Sequence, residues 1–219
     1  MEEIVIFGLG ELAQIANYYF KIDSNFKVVA FTVDREFIND SHFEGLPLIP
    51  FDELLSKYPP SKFKLFIAVG YTDLNRIREK KYNETKKMGY ELVSYISSKC
   101  TYLTQYQHGE NCFIAEHNSI HPFVKIGNNV ILWTGNTIAH HSIIHDHNYL
   151  SGHIVVAGQC VLNSNSFFGI NAMIGNQVEI GGENIIGAGS IILKNTGFGE
   201  VYVPVKSTKL EIPSSKIKL

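Results

Sequence analysis

From Ile114 to Ile192 an aliphatic or aromatic residue recurs at every sixth position without a slip: Ile114, Ile120, Ile126, Leu132, Ile138, Ile144, Leu150, Val156, Leu162, Phe168, Ile174, Ile180, Ile186 and Ile192. Neither the 3.6 period of a helix nor a sandwich with irregular turns produces this series. A six-residue period is the spacing of a parallel β-helix, in which each hexapeptide is one short strand plus one corner. Two residues before the anchors runs a second set, mostly small or aliphatic: Val124, Val130, Ser142, Ile154, Cys160, Ser166, Ala172, Val178 and Ser190. Side chains two apart on a strand share a face, so both sets point into the solenoid. Gly127-Asn128-Asn129, Gly175-Asn176 and Gly181-Gly182 supply chain-turning residues at the corners. Three hexapeptides close one triangular coil, which stacks residues eighteen apart at about 4.8 Å.

The N-terminal half follows a different pattern. Glu3 to Phe7 is a continuous apolar strand leading into Gly8-Leu9-Gly10-Glu11-Leu12-Ala13, which opens a helix through Tyr19. That is G-x-G-x-x-A between a strand and a helix, the context of a dinucleotide fingerprint. A second strand, Lys27 to Val33, ends at Asp34, and a third, Lys64 to Val69, ends at Gly70-Tyr71-Thr72. A charged helix from about Asp73 to Met88 and a last strand, Glu91 to Ile96, complete a small Rossmann-like parallel α/β domain. Ligands of such sheets bind beyond the carboxyl ends of the strands, so Gly8, Gly10, Asp34, Gly70 and Tyr71 are the candidate substrate-binding residues. A pyrophosphate at the helix N-terminus fits a dinucleotide and a nucleotide diphosphate equally. The expected division is a nucleotide-binding domain over 1–99 and a β-helix with a C-terminal tail over 100–219.

Composition narrows the partners. The formal net charge of −2 over 219 residues offers nothing to nucleic acid or an anionic membrane. No charged-then-apolar leader and no apolar run near the ~18 residues of a membrane span is present, so a cytoplasmic location is expected. Cys100, Cys112 and Cys160 lack metal-ligand spacing, and no metal is expected. Between Phe113 and Leu193 the charged residues are only Glu116, Lys125, Asp146, Glu179 and Glu183, while outward positions carry Ile131, Ile143, Tyr149, Val155, Val161, Phe167, Met173, Ile185 and Ile191. Burial of that surface against other copies about a three-fold axis predicts a homotrimer.

Seven of the nine histidines lie in the solenoid: His117, His121, His140, His141, His145, His147 and His153. None takes an inward position. Histidine is the side chain best placed to accept a proton near neutral pH, and a cluster outside a rigid prism suits an active site shared between copies.

A strand and G-x-G at the head of an α/β domain, followed by hexapeptide repeats, resembles the bacterial nucleotide-sugar acetyltransferases. These include the sialic acid O-acetyltransferase type and the N-acetyltransferases of UDP- or dTDP-linked 4-amino-4,6-dideoxyhexoses. The resemblance implies a left-handed β-helix, acetyl-CoA as acyl donor, a nucleotide-sugar acceptor and a role in surface glycan or lipopolysaccharide synthesis. The family's motif overlays without gaps on the segment from Ile138 to His153. It implies His140 as general base, with His141 in the place of the carboxylate that orients it. For the coenzyme it implies Tyr149 or His153 at the acyl donor, Gly158, Gly175, Ala188 and Gly189 along the pantetheine arm, and Lys194 nearby. Glu11 after Gly10 and Val203-Pro204-Val205-Lys206 near the end depart from the family's pattern. The acceptor atom, nitrogen or oxygen, stays open. An NAD-linked oxidoreductase and a non-catalytic trimeric scaffold are the competing readings.

Overall fold

The structure, a computed structural model, describes residues 1–209, 211–212 and 214–217; residues 210, 213, 218 and 219 of the expected tail lie outside the described residues. The N-terminal domain is built on β1 (Glu2–Phe7), α1 (Glu11–Ile22), β2 (Phe26–Val33), β3 (His42–Phe43), β4 (Leu46–Pro50), α2 (Leu54–Lys57), β5 (Lys64–Ile67) and α3 (Arg76–Lys87). Its sheet has the order β3-β4-β2-β1-β5. β4, β2, β1 and β5 run parallel, and apolar runs such as Ile4–Phe7 are buried on both faces. The sheet is mixed rather than wholly parallel, because β3 pairs antiparallel with β4. Glu44 and Gly45 turn that hairpin with φ +50° and +75°, the pair of positive angles that a two-residue turn requires. α1 covers the sheet with Leu12, Ala13, Ala16 and Phe20, which recur at helical spacing and are all buried.

Beyond α3 the chain makes one bridge to the sheet, Leu65 with Leu92, and then enters the solenoid. Tyr95–Ile96 already pairs with Phe113–Ile114, so the solenoid ladder begins upstream of residue 99. Two-residue strands then stack in register at eighteen-residue spacing, as in Phe113, Ile131, Tyr149, Phe167 and Ile185. Three parallel ladders form the faces of a prism. The first face carries that column. The second carries Ser119, Thr137, Val155, Met173 and Ile191, and the third carries Lys125, Ile143, Val161 and Glu179. Every six-residue anchor is buried, and so are the second inward residues. Asn118, Asn136, Asn148 and Asn184 share that inward phase; their amides satisfy corner carbonyls, as Asn118 Nδ2 does with Ala115 at 2.7 Å.

The corners turn differently from the sequence expectation. The left-handed residue is the sixth-position series that includes Asn111, Asn129, His141, His147, His153, Gln177 and Glu183, with φ between +54° and +63°. Gly127 has no such angle. Its missing side chain instead gives clearance between coils: a Cβ there would collide with the Asp146 carboxylate and approach its amide to 2.9 Å.

The N-terminal domain sits on the first face, and one hydrophobic cluster runs from Ile4, Phe31 and Phe66 into Phe113, Ile131 and Tyr149. Part of the outward apolar surface is thus covered within the chain. On the second face Val155 and Ile191 stay 46% and 64% exposed.

Candidate active site

β1, β2 and β5 end side by side, and the order of the sheet places β2 and β5 on opposite flanks of β1. At this switch point a cavity of about 650 Å³ opens, lined by Gly8, Gly10, Asp34, Gly70 and Tyr71 together. The two glycines differ in cause. A Cβ at Gly8, whose φ is +131°, would lie 2.6 Å from the Ala68 carbonyl oxygen, so the fold itself demands glycine there. Gly10 has φ −84° as N-cap of α1, and a Cβ would meet nothing within 4 Å. Its bare backbone leaves cavity volume at a helix N-terminus, a setting suited to phosphate. Glu11 adds a negative charge to the same rim.

Asp34 is ion-paired. Lys81 Nζ donates to it at 2.6 Å and to Glu84 at 2.8 Å. Burial opposes the Lys81 charge, but these bonds outweigh it and hold the ammonium above the ordinary lysine range. The same ammonium lies 4.7 Å from the Phe51 ring centroid.

The solenoid supplies the opposite wall through Trp133 and Tyr149. Trp133 Nε1 donates to the Tyr149 hydroxyl. The Tyr149 ring stacks on Phe167 at 5.6 Å and meets Tyr71 at 4.9 Å. Tyr149, expected at the acyl donor, is an outward residue of the first face beneath the N-terminal domain and lines this cavity.

His140 and His141 sit at the corner between the second and third faces, both exposed. Their Nδ1 atoms are 3.1 Å apart. The His140 ring lies over Gly158 in the next coil, where a Cβ would come within 2.8 Å of Nε2. Gly158, expected along the pantetheine arm, is buried beneath the His140 ring. Asn176 and Lys194 continue this column at the same eighteen-residue spacing. Gly175 shares the corner. His153, Ala188 and Gly189 lie at the corner between the first and second faces, with the His153 ring over Gly135. One chain therefore does not bring the expected coenzyme residues together; they flank the second face from two corners. His147 departs from the expected external cluster. It is buried under α3, with Asn129 Nδ2 2.9 Å from its Nδ1 and Glu79 3.8 Å from its Nε2. Among the described residues no three His, Cys, Asp or Glu side chains converge as metal ligands.

The acetyltransferase domain of PglB from Neisseria gonorrhoeae FA1090 superposes with TM-score 0.79 at 20% identity, covering 92% of this chain and 96% of that one. PerB from Caulobacter crescentus, solved in complex with CoA and GDP-perosamine, gives 0.80 at 23% identity over 94% and 97%. WeeI from Acinetobacter baumannii AYE gives 0.64 at 18% identity over 93% and 97%. This chain shares their fold. No protein-family model and no curated protein matches the sequence.

Within that shared architecture, sequence reasoning missed Lys81, Trp133 and Arg78. Arg78, Lys81 and Thr85 are buried at helical spacing on α3, but polar residues leave no trace in a hydrophobic pattern. Trp133 did carry a signal: it is the chain's single tryptophan, beside an anchor on the outside of the solenoid.

Proposed function

We propose that the chain transfers an acetyl group from acetyl-CoA to the amino group of a nucleotide-linked 4-amino-4,6-dideoxy sugar, as a homotrimer with His140 as general base. The nucleotide diphosphate occupies the cavity at Gly8, Gly10, Asp34, Gly70 and Tyr71. The coenzyme lies between neighbouring prisms, near His153, Gly175, Ala188, Gly189 and Lys194. The amine nitrogen attacks the thioester carbonyl, the C–N bond forms and the C–S bond breaks. The proton leaves nitrogen for His140 Nε2 and passes on to the departing sulfur. Acyl-CoA and nucleotide sugars are cytoplasmic metabolites, and the product suits surface glycan synthesis. No helix of the described residues is long and apolar enough to cross a membrane.

One observation carries the trimer. The cavity abuts the first face through Trp133 and Tyr149, whereas His140 occupies the corner opposite that face. At about 3.3 Å per residue a six-residue side spans roughly 20 Å, so that corner is on the order of 15 Å from the first face, across a filled core. His140 nonetheless belongs to the coil between Ile131 and Tyr149, level with the cavity wall. A three-fold axis parallel to the prism preserves height and can bring a neighbour's His140 to the cavity. The solved neighbours that hold acetyl-CoA, or CoA with GDP-perosamine, support the same chemistry.

The test is coenzyme thiol release from acetyl-CoA with UDP-, dTDP- and GDP-linked 4-amino-4,6-dideoxyhexoses. Turnover requires the amino sugar and falls by about 10²–10⁴ in His140→Ala. A loss under about threefold contradicts the assignment of the base.

A further inference from the structure

His140 lacks the carboxylate that commonly aims a catalytic imidazole, and a second ring stands in that place. The two Nδ1 atoms are 3.1 Å apart and the ring planes meet at 85°. His141 takes the left-handed corner conformation of its series, with φ +61°. Its ring is held from the other side by Phe123, with centroids 4.6 Å apart and planes at 31°. His140 lies against the bare backbone of Gly158, within 2.8 Å of where a Cβ would stand. Each ring thus has one neighbour besides its partner, Phe123 for His141 and the Gly158 backbone for His140, and both stay exposed on the remaining side.

A hydrogen bond between two Nδ1 atoms needs one donor and one acceptor. A base with a free Nε2 carries its own proton on Nδ1, which makes His140 the donor and His141 the acceptor. We infer that His141 is the positioning residue of the base: neutral, with its proton on Nε2, it accepts the Nδ1–H of His140 and leaves the Nε2 lone pair of His140 for the substrate's proton. This assignment rests on the acetyl-transfer reading above. When Nε2 takes the amine's proton, His140 becomes imidazolium and its bond to His141 becomes charge-assisted. Delivery of that proton to the coenzyme sulfur restores the starting pair. A carboxylate in this place would hold the base with a full negative charge; a neutral imidazole holds it without one.

The neighbourhood leaves this pairing undisturbed. Among the described residues no carboxylate is hydrogen-bonded to either ring. The preceding coil carries His121 at this corner and Lys125 on the adjoining strand, and the next carries Gln159 in the His141 column. Gln177 donates to Gln159 at 3.0 Å, and beyond Gly158 the His140 column continues with Asn176 and ends at Lys194.

Two measurements test the assignment. The first is kcat, KM and the pH profile of His141→Phe, His141→Asn and His141→Glu, with acetyl-CoA and the same panel of amino sugars. His141→Phe keeps the packing on Phe123 without the acceptor, and kcat falls by about tenfold or more at little-changed KM. His141→Asn restores an acceptor oxygen and recovers most of that loss. His141→Glu supplies an anion beside the imidazolium and moves the acid limb of kcat/KM up by about one pH unit. Full activity in His141→Phe, or an unmoved limb in His141→Glu, overturns the positioning role. The second needs no turnover: nitrogen NMR of the full-length protein at pH 8, expected to show His140 protonated on Nδ1 and His141 on Nε2. The reverse tautomers, or a mixture at either ring, also overturn it. Failure of the base itself is distinct, since it appears as activity retained in His140→Ala.

Discussion

Arg78, fully buried, donates from Nη1 to the Gly70 carbonyl at 2.7 Å. Its Nη2 reaches the solenoid carbonyls of His147 at 3.0 Å and of Asn129 and Asn148 at 3.3 Å. One guanidinium therefore ties the cavity wall to the corner of the prism. Burial pulls its pKa down to about 9, which still leaves it charged at neutral pH.

Arg78→Met strands the carbonyls of Gly70, Asn129 and His147, while that of Asn148 keeps the Ile131 N–H, and unpaired buried acceptors cost about 1–3 kcal/mol each before relaxation. The expected outcome is a loss of about 3 kcal/mol or more in urea unfolding, with a raised KM for the nucleotide sugar. Arg78→Lys recovers little, because an ammonium cannot span both sets of acceptors.

Gly8 and Gly10 separate folding from binding. Gly8→Ala sets a Cβ against the Ala68 carbonyl in a backbone that alanine resists, so its melting temperature falls. Gly10→Ala meets nothing within the chain and melts within a few degrees of the parent. Its Cβ nevertheless enters the cavity, and calorimetry with UDP, dTDP and GDP is expected to show affinity reduced about tenfold or more for the nucleotide that binds. Unchanged affinity would remove Gly10 from the binding site.

His147 makes stability depend on pH. Burial lowers its pKa, only partly countered by Glu79 and Asp146. Below the unfolded value of about 6.5 the unfolded chain binds a proton that the folded chain refuses. This contribution to stability is therefore complete above that pH and declines as pH falls toward the lowered folded value. His147→Asn suits the left-handed corner and its asparagine column, and is expected to flatten the loss of stability between pH 7 and 5.5. Denaturation midpoints at both pH values check it.

The solenoid was legible because its core repeats. Fourteen anchors at one spacing leave no competing period, and each is buried where the phase puts it. The strand-end residues were legible for a related reason: in a parallel sheet the carboxyl ends share one edge, so Gly8, Asp34 and Gly70 had to meet. Polar burial was hidden. Arg78, Lys81 and His147 read as surface residues until α3 is docked on the corner, since only tertiary contact gives them partners. That the N-terminal domain covers Tyr149 was also hidden, because a motif overlay fixes position along the chain but not which face a neighbouring domain covers. Apolar residues of the first face were assigned to sister copies when the chain's own N-terminal domain covers them.

The most direct test of a site shared between copies mixes two inactive variants, His140→Ala and Gly10→Arg, unfolded together and refolded. If each cavity uses a neighbour's His140, random trimers regain about a quarter of the parent's acetyl transfer, since an intact cavity meets an intact histidine at one seam in about four. Activity no higher than in either variant refolded alone would contradict the shared site.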